Sequence, residues 1–408
     1  MGETELTVEV QQHNKNIRKR KRQASLLVLP LLLFLIVFFI SPIGFMLYRS
    51  FYNPKVAQLV PLTIEQLANW DNSKIPNEKT LKQFAYELQD LQKQHLSGKL
   101  AEEVNRRVSQ VGSIIKRTAR IIKTQDLSKI NSFQQFFISI HPKWGETQIW
   151  SGIKMAGDII TINYFAHALD YSLQHDGSIV KKPNQVYLPI LLRTLKIALI
   201  ITLLTIVLAY PVSYYLANTS ATKAGLLLIL VLLPFLTSLL VRTTAWIAIL
   251  QTNGIVNQIL MGLQIINKPL DLIYNQFSTI IGMTHILLPF MILPLYSVMR
   301  RIDSTYVKAA QSLGANPFIS FLRVYFPLTV PGLSAGSLLV FITAVGYYIT
   351  PALLGGVQGQ LISNLVAYHM RTTNNWELAA ALGSVLLFTV IALYWVFNRI
   401  ISFKNIKL

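Results

Sequence analysis

The chain has 408 residues, of which 52% are hydrophobic and only 13% charged, too apolar and too charge-poor for a water-soluble enzyme of this length. A net charge of +19 would suit nucleic-acid binding, but the cations flank apolar runs long enough to cross a bilayer, which a nucleic-acid reader does not need. The absence of cysteine excludes disulfides, thiolate metal sites and a cysteine nucleophile.

An ionised side chain at mid-bilayer costs several kcal/mol, so charge-free windows of about 20 residues mark candidate crossings. Residues 1–25 read as a basic tail that ends in Arg18, Lys19, Arg20, Lys21 and Arg22. The 26 uncharged residues between Arg22 and Arg49 predict a first helix over Leu26–Leu47, within a membrane segment 26–49. That run is too long for a signal-peptide core and no small-residue cleavage site follows it, so no cleavable signal is expected. Ser50 to Val186 then gives 137 residues without a crossing, which is a domain and not a loop. In it Leu81, Phe84, Leu88 and Leu91, and again Leu100, Val104, Val108, Val111 and Ile115, recur at helical spacing. At least two amphipathic helices are expected there, with their apolar stripes in a core.

Residues 187–400 read as a five-helix membrane core followed by a tail, 401–408. An apolar stretch beginning at Tyr187 and carrying Arg193 and Lys196 predicts an interfacial approach to the second crossing, with both cations reaching toward the polar boundary. The second crossing is predicted over Ile197–Leu216 and the third near Gly225–Leu250. Only 18 uncharged residues separate Lys223 from Arg242. Arg242 therefore sits near an interface, as an anchor, or in a polar cavity, as a pathway residue. The fourth, fifth and sixth crossings are predicted over Ile280–Val298, Leu333–Leu354 and Leu378–Asn398. With the basic cluster inside, the tails and inner loops hold 14 Lys and Arg against Lys268 and Arg371 in the short outer loops. That bias places both termini in the cytoplasm and residues 50–186 outside it.

The inner loop between the fourth and fifth crossings, residues 300–331, is the most informative segment. Asp303 or Ser304 can cap a first helix, and Gly314 stands where a helix-ending residue with positive φ is favoured. Asn316 before Pro317 can cap a second helix, which is expected to yield at Pro327. Ala309 and Ala310 keep the first helix slim enough for close approach by a partner.

Lys308-Ala309-Ala310, three residues, Gly314, nine residues and Val324-Tyr325-Phe326-Pro327 together resemble, in full spacing, the EAA loop of type I ATP-binding-cassette (ABC) importer permeases. Leu233-Pro234-Phe235 with Val241-Arg242-Thr243, Leu288-Pro289-Phe290-Met291 with Leu293-Pro294-Leu295-Tyr296, and Thr350-Pro351-Ala352-Leu353-Leu354-Gly355-Gly356 look like its spermidine/putrescine branch. The resemblance runs over roughly Leu192 to Asn398, together with the first helix. It implies an all-α integral membrane protein of six crossings with a large, mainly helical extracytoplasmic insert. It also implies a subunit of a bacterial inner-membrane importer, paired with a second homologous permease, two ABC ATPase subunits and an extracytoplasmic solute-binding protein. ATP and Mg would then be bound by the ATPases and no cofactor by this chain. Lys308, Ala309, Ala310, Gly314, Val324 and Pro327 would couple to the ATPase, and Arg242, Tyr347, Tyr348, Thr350 and Pro351 are candidates for the pathway. A polyamine is the expected solute, with an amino-acid-like solute as the alternative.

Two departures stand out. Lys308 replaces the glutamate of the family pattern, and Gly346-Tyr347-Tyr348-Ile349 replaces an acidic stretch before the Thr350-Pro351 step. Tyrosine faces can still meet an ammonium group. The chain has no G-x-x-x-x-G-K-[ST] phosphate loop, so ATP hydrolysis is expected elsewhere, and its seven histidines show no metal-ligand spacing. For His285, within an apolar helix, a backbone partner is expected. An ion-coupled secondary transporter, the competing class, would need intramembrane carboxylates and internal repeats; every Asp and Glu falls outside the predicted apolar cores. A membrane-anchored receptor or enzyme would need chemistry in the insert, where no motif supplies it.

Overall fold

The computed structural model describes residues 23, 26–108, 110–173 and 178–405. The basic cluster Arg18–Arg22 and the end of the tail lie outside them. The chain divides into two compact units, Met1–Tyr164 and Phe165–Leu408. The expected insert, 50–186, is thus shared between them, residues 165–186 belonging with the later membrane helices. Among the described residues, six helices are long and apolar enough to cross a membrane.

The first unit opens with α1 (Leu26–Phe51), charge-free up to Arg49. Seven helices follow: α2 (Lys55–Leu59), α3 (Pro61–Ala68), α4 (Glu78–Lys93), α5 (Ser97–Asn105), α6 (Val111–Ile122), α7 (Phe133–Ile140) and α8 (Thr147–Ala156). Asn77 caps α4 by accepting from the Thr80 amide at 2.9 Å. The stripe Leu81, Phe84, Leu88 and Leu91 is buried, as its spacing predicts. The second stripe spans two helices and not one, because Gln110 takes φ +72° between α5 and α6. Leu100, Val104, Val111 and Ile115 still face one core, with Val108 packed against it. At its centre Phe84, Phe137, Trp144 and Trp150 stack with ring centroids 5.0–5.9 Å apart. Both indoles are satisfied, Trp144 Nε1 donating to Thr118 Oγ1 (2.9 Å) and Trp150 Nε1 to the Trp144 carbonyl (3.1 Å).

The insert leaves α1 and returns to its foot through one clasp. Asn53 N donates to the Ile159 carbonyl (2.8 Å), Thr161 N to the Phe51 carbonyl (2.9 Å), and Asn53 Nδ2 to the Tyr164 hydroxyl (2.8 Å). Beside it Glu103 accepts from Lys55 and Arg106 at 2.9 and 2.7 Å. The Arg107 guanidinium lies 5.2 Å from the Tyr164 ring centroid. Burial pushes Arg107 down and Asp158 up from their ordinary values, and their mutual attraction opposes both shifts.

The second unit begins with the end of a short helix, a hairpin of β1 (Tyr171–Leu173) and β2 (Ile179–Lys181), and then α10, counting Asn163–Ala168 as α9. The interfacial approach and the second crossing are one 31-residue helix, α10 (Tyr187–Ala217). Its start is held by Asp170, whose carboxylate accepts from the amides of Val186 (3.0 Å), Tyr187 (3.1 Å) and Leu188 (2.7 Å). A carboxylate on otherwise unpaired amides at the positive end of a helix is strongly favoured. Asp170→Ala is therefore expected to lower stability by about 2–3 kcal/mol, seen as faster hydrogen exchange over 186–190 in the detergent-solubilised protein; unchanged exchange would contradict it.

The third crossing is broken. Pro234 precedes an extended step at Thr237 and Ser238, which divides the predicted helix into α11 (Ala221–Leu236) and α12 (Leu239–Leu250), followed by α13 (Ile255–Gly262). Proline removes an amide donor and disrupts the preceding turn. The fourth is α14 (Gln276–Met299), opened by a capping box of Asn275 and Ser278. After the loop helix α15 (Ser304–Ser312), α16 (Pro317–Gly346) forms the fifth. Pro327 does not end the second loop helix. A π turn at Phe321–Tyr325 absorbs it, Phe326 N–H bonding to the Phe321 carbonyl, and the loop helix runs straight into the crossing. The fifth crossing in turn stops at Gly346, not near Leu354; α17 (Ile349–Leu354) and α18 (Ile362–Arg371) follow. The sixth is α19 (Trp376–Asn405). α10, α14 and α16 pack around Ile197, Ile201, Met283, Leu287, Met291, Val340 and Ala344, all buried.

Candidate translocation and coupling site

The loop between α14 and α16 is a helix, a glycine turn and a helix. Asp303, of the two possible caps, accepts from Thr305 N (2.9 Å) and Thr305 Oγ1 (2.7 Å). The Thr305 amide, then its hydroxyl, and to a lesser degree the Lys308 charge hold the Asp303 carboxyl below its ordinary range. α15 ends in a Schellman motif, with Gly314 N donating to the Gln311 carbonyl (2.9 Å) and Ala315 N to the Ala310 carbonyl (3.1 Å). Gly314 has φ +92°, the left-handed value its position predicts. Asn316 then caps the next turn from Ile319 N (2.7 Å), with Pro317 in first position.

This loop presents an apolar edge to its surroundings. Tyr306, Leu313, Phe318 and Leu322 are exposed, Leu313 at 90%. Lys308 and Ala309 are exposed beside them, while Ala310, Val324 and Pro327 are half-buried. Its base is fixed to the membrane helices. Arg300 Nη1 donates to the carbonyls of Ala217 (2.8 Å) and Thr219 (3.1 Å) at the end of α10, and Tyr325 packs with Ala217, Leu295 and Met299. A displacement of the loop therefore bears directly on α10, α14 and α16.

The pathway candidates gather where α16 is interrupted. Tyr347 is extended (ψ 134°), and Thr350 and Pro351 start α17 as buried residues. The broken backbone is held by α18, Ser363 Oγ donating to the Tyr347 carbonyl (2.6 Å) and Asn364 Nδ2 to the Tyr348 carbonyl (2.7 Å). Irregular backbone at membrane depth persists where side chains satisfy it in this way. Ser363 and Asn364 are adjacent polar residues just after an apolar crossing, which was the available signal in the sequence. Arg371 covers the Tyr348 ring at 5.6 Å and its Nη2 donates to the hydroxyl at 3.3 Å. The Tyr348 face thus already meets a cation from its own chain. The Gly355-Gly356 pair has a steric reason: Gly356 has φ +52°, and a Cβ there would collide with the Tyr274 carbonyl.

Arg242 lies on α12, which packs against α14 and α17. One turn on, Trp246 Nε1 donates to His285 Nδ1 at 3.3 Å, so the partner of His285 is an indole and not the backbone group expected. α12, α14 and α17 each pack against the other two, so Arg242, His285 and the α16–α17 break belong to one packed region. Among the described residues no three His, Asp or Glu side chains group as metal ligands.

Six apolar spans, a helix-turn-helix loop between the fourth and fifth, and a broken fifth span are the features of a membrane permease. The chain belongs to the ABC-transporter permease family that includes the spermidine/putrescine permeases. It is 35% identical over 224 residues to the spermidine/putrescine transport system permease protein PotB of Escherichia coli K12, covering 54% of this chain and 82% of that protein. The PotB of Haemophilus influenzae is 34% identical over 224 residues, 54% of this chain and 78% of that protein. The E. coli inner membrane ABC transporter permease protein YdcU is 30% identical over 272 residues, 62% and 86% of the two chains. Among solved structures, a bacterial alginate ABC transporter in complex with an alginate pentasaccharide-bound periplasmic protein aligns with TM-score 0.45 and 15% identity, over 53% of this chain and 78% of that one. No family model matches the sequence.

Proposed function

We propose that this chain is the permease subunit of a binding-protein-dependent importer that carries a polyamine, putrescine or spermidine, across the inner membrane. The observation that carries the reading is the 35% identity to PotB over 82% of that protein's length. The subunit works with a second permease, two ABC ATPases and an external solute-binding protein, and its termini lie inside, with the insert outside. The ATPases bind ATP and Mg, and their closure is received at Lys308, Ala309, Ala310 and Gly314 and passed through Val324 and Pro327 into α16. The continuity of loop helix and fifth crossing supports this route, because motion at Pro317 reaches the Gly346–Tyr347 break through one unbroken helix. At that break Tyr347 offers a ring face to an ammonium group beside Thr350 and Pro351.

Purification of the tagged chain from its host is expected to bring an ABC ATPase and a second permease with it. The reconstituted complex, given its binding protein, is expected to accumulate labelled putrescine only with ATP. Transport by this chain alone, without ATP, would instead identify an ion-coupled secondary transporter.

A further inference from the structure

Arg242 is a permanent cation in an apolar helix, and two of its guanidinium nitrogens, Nε and Nη1, are buried with no acceptor among the described residues. Its neighbours cannot neutralise it. Trp246 is a donor only, His285 spends Nδ1 on that indole, and Tyr347 is a phenol with no charge at physiological pH. No ion pair among the described residues includes Arg242, and from Leu239 to Arg399 the sequence has only three acids, Asp271, Asp303 and Glu377. Asp271 and Asp303 lie in loops and Glu377 in the first turn of α19, so none occupies the middle of a span. A half-buried guanidinium with two nitrogens left in this state is disfavoured, and a carboxylate is the partner its planar donor fork fits.

We propose that Arg242 is one half of an ion pair whose carboxylate comes from outside this chain, at the level where the fifth crossing is interrupted. The proposal rests on the importer reading but not on its polyamine solute, and two sources can supply that group: an acidic side chain on a membrane helix of the second permease, or the carboxylate of an amino-acid-like solute. Trp246, one turn along α12, and its partner His285 on α14 are the neighbouring polar side chains. A charge neutralised here, and re-exposed when the pair separates, makes Arg242 a specificity-determining residue of the pathway.

The test uses the complete complex, purified and reconstituted with its binding protein, and compares Arg242→Lys, Arg242→Gln and Arg242→Glu with the wild type. The probes are putrescine and ornithine, which is putrescine carrying one carboxylate. Arg242→Lys, which keeps the charge, is expected to retain most of the wild-type uptake, and Arg242→Gln to lose at least tenfold in putrescine uptake if the second permease supplies the acid. If the second permease supplies the acid, Arg242→Glu reduces recovery of that subunit with the tagged chain, and selection for restored uptake returns a Lys or Arg in place of an acid in one of its membrane helices. If the solute supplies it, Arg242→Gln raises the KM for ornithine more than tenfold and leaves putrescine unchanged. Subunit recovery is scored without any solute, so failure of the polyamine reading, seen as no wild-type putrescine uptake, leaves the partner arm readable. Full subunit recovery with wild-type KM and kcat for both solutes in Arg242→Gln and Arg242→Glu would overturn the ion pair.

Discussion

Gly314→Val is expected to abolish ATP-dependent uptake while the purified chain remains folded. A Cβ at Gly314 meets no atom within 4 Å, so the effect is one of backbone and not of collision. At φ +92° an L-residue pays about 1–2 kcal/mol, and a β-branched one more, to hold the left-handed turn. The cheaper outcome is to open the Schellman pair at Gly314 and Ala315, which swings α15 away from its present angle to the second loop helix. A coupling surface must match its partner in shape, and a shift worth about 1.4 kcal/mol already costs a factor of ten. Gly314→Asn, which tolerates positive φ, is expected to keep much of the uptake. The measurement is initial uptake alongside ATP hydrolysis by the same preparation. Continued hydrolysis without uptake would place the defect in coupling, and wild-type uptake by Gly314→Val would remove this loop from the coupling route.

The turn was legible in the sequence because Gly314, Asn316 and Pro317 each act through local backbone chemistry, which does not depend on the rest of the fold. The first, second, fourth and sixth crossings were legible for the same kind of reason: a charge-free window reports the solvent the helix must accept. The third and fifth crossings were read too simply. Hydropathy is continuous through Thr237-Ser238 and through Tyr347-Tyr348, and nothing in that continuity says that the backbone turns extended there. The break at Tyr347 exists because Ser363 and Asn364, sixteen residues away in each case, satisfy its carbonyls, a tertiary fact with no local signature. Pro327 misled in the opposite direction, since a π turn at Phe321–Tyr325 lets the helix pass the proline. Among the candidate residues, Arg242 was legible as an anomaly of charge, but its company of Trp246, His285 and Tyr347 comes from three separate segments and could be seen only in the fold.

The core of the insert carries the largest stability effect expected outside the membrane helices. Trp150→Ala removes a fully buried indole from the stack with Phe84, Phe137 and Trp144 and deletes its hydrogen bond to the Trp144 carbonyl. Large-to-small changes of this kind cost about 3–5 kcal/mol, a large share of the roughly 5–15 kcal/mol by which a domain is stable. The surroundings cannot collapse to fill the space, because α4, α7 and α8 are each held by several further core side chains. Hydrogen exchange in the intact purified complex is expected to speed up over Glu78–Ile122, while α10 and α14 keep their protection, as the two compact units predict. Trp150→Phe, which keeps an aromatic ring in the stack, is expected to lose less than half as much. Equal loss of protection in both units would show that they unfold as one. Uptake by the same Trp150→Ala complex then decides what the insert is for: loss of uptake that a higher concentration of binding protein restores marks it as a docking surface, whereas undiminished uptake separates it from transport altogether.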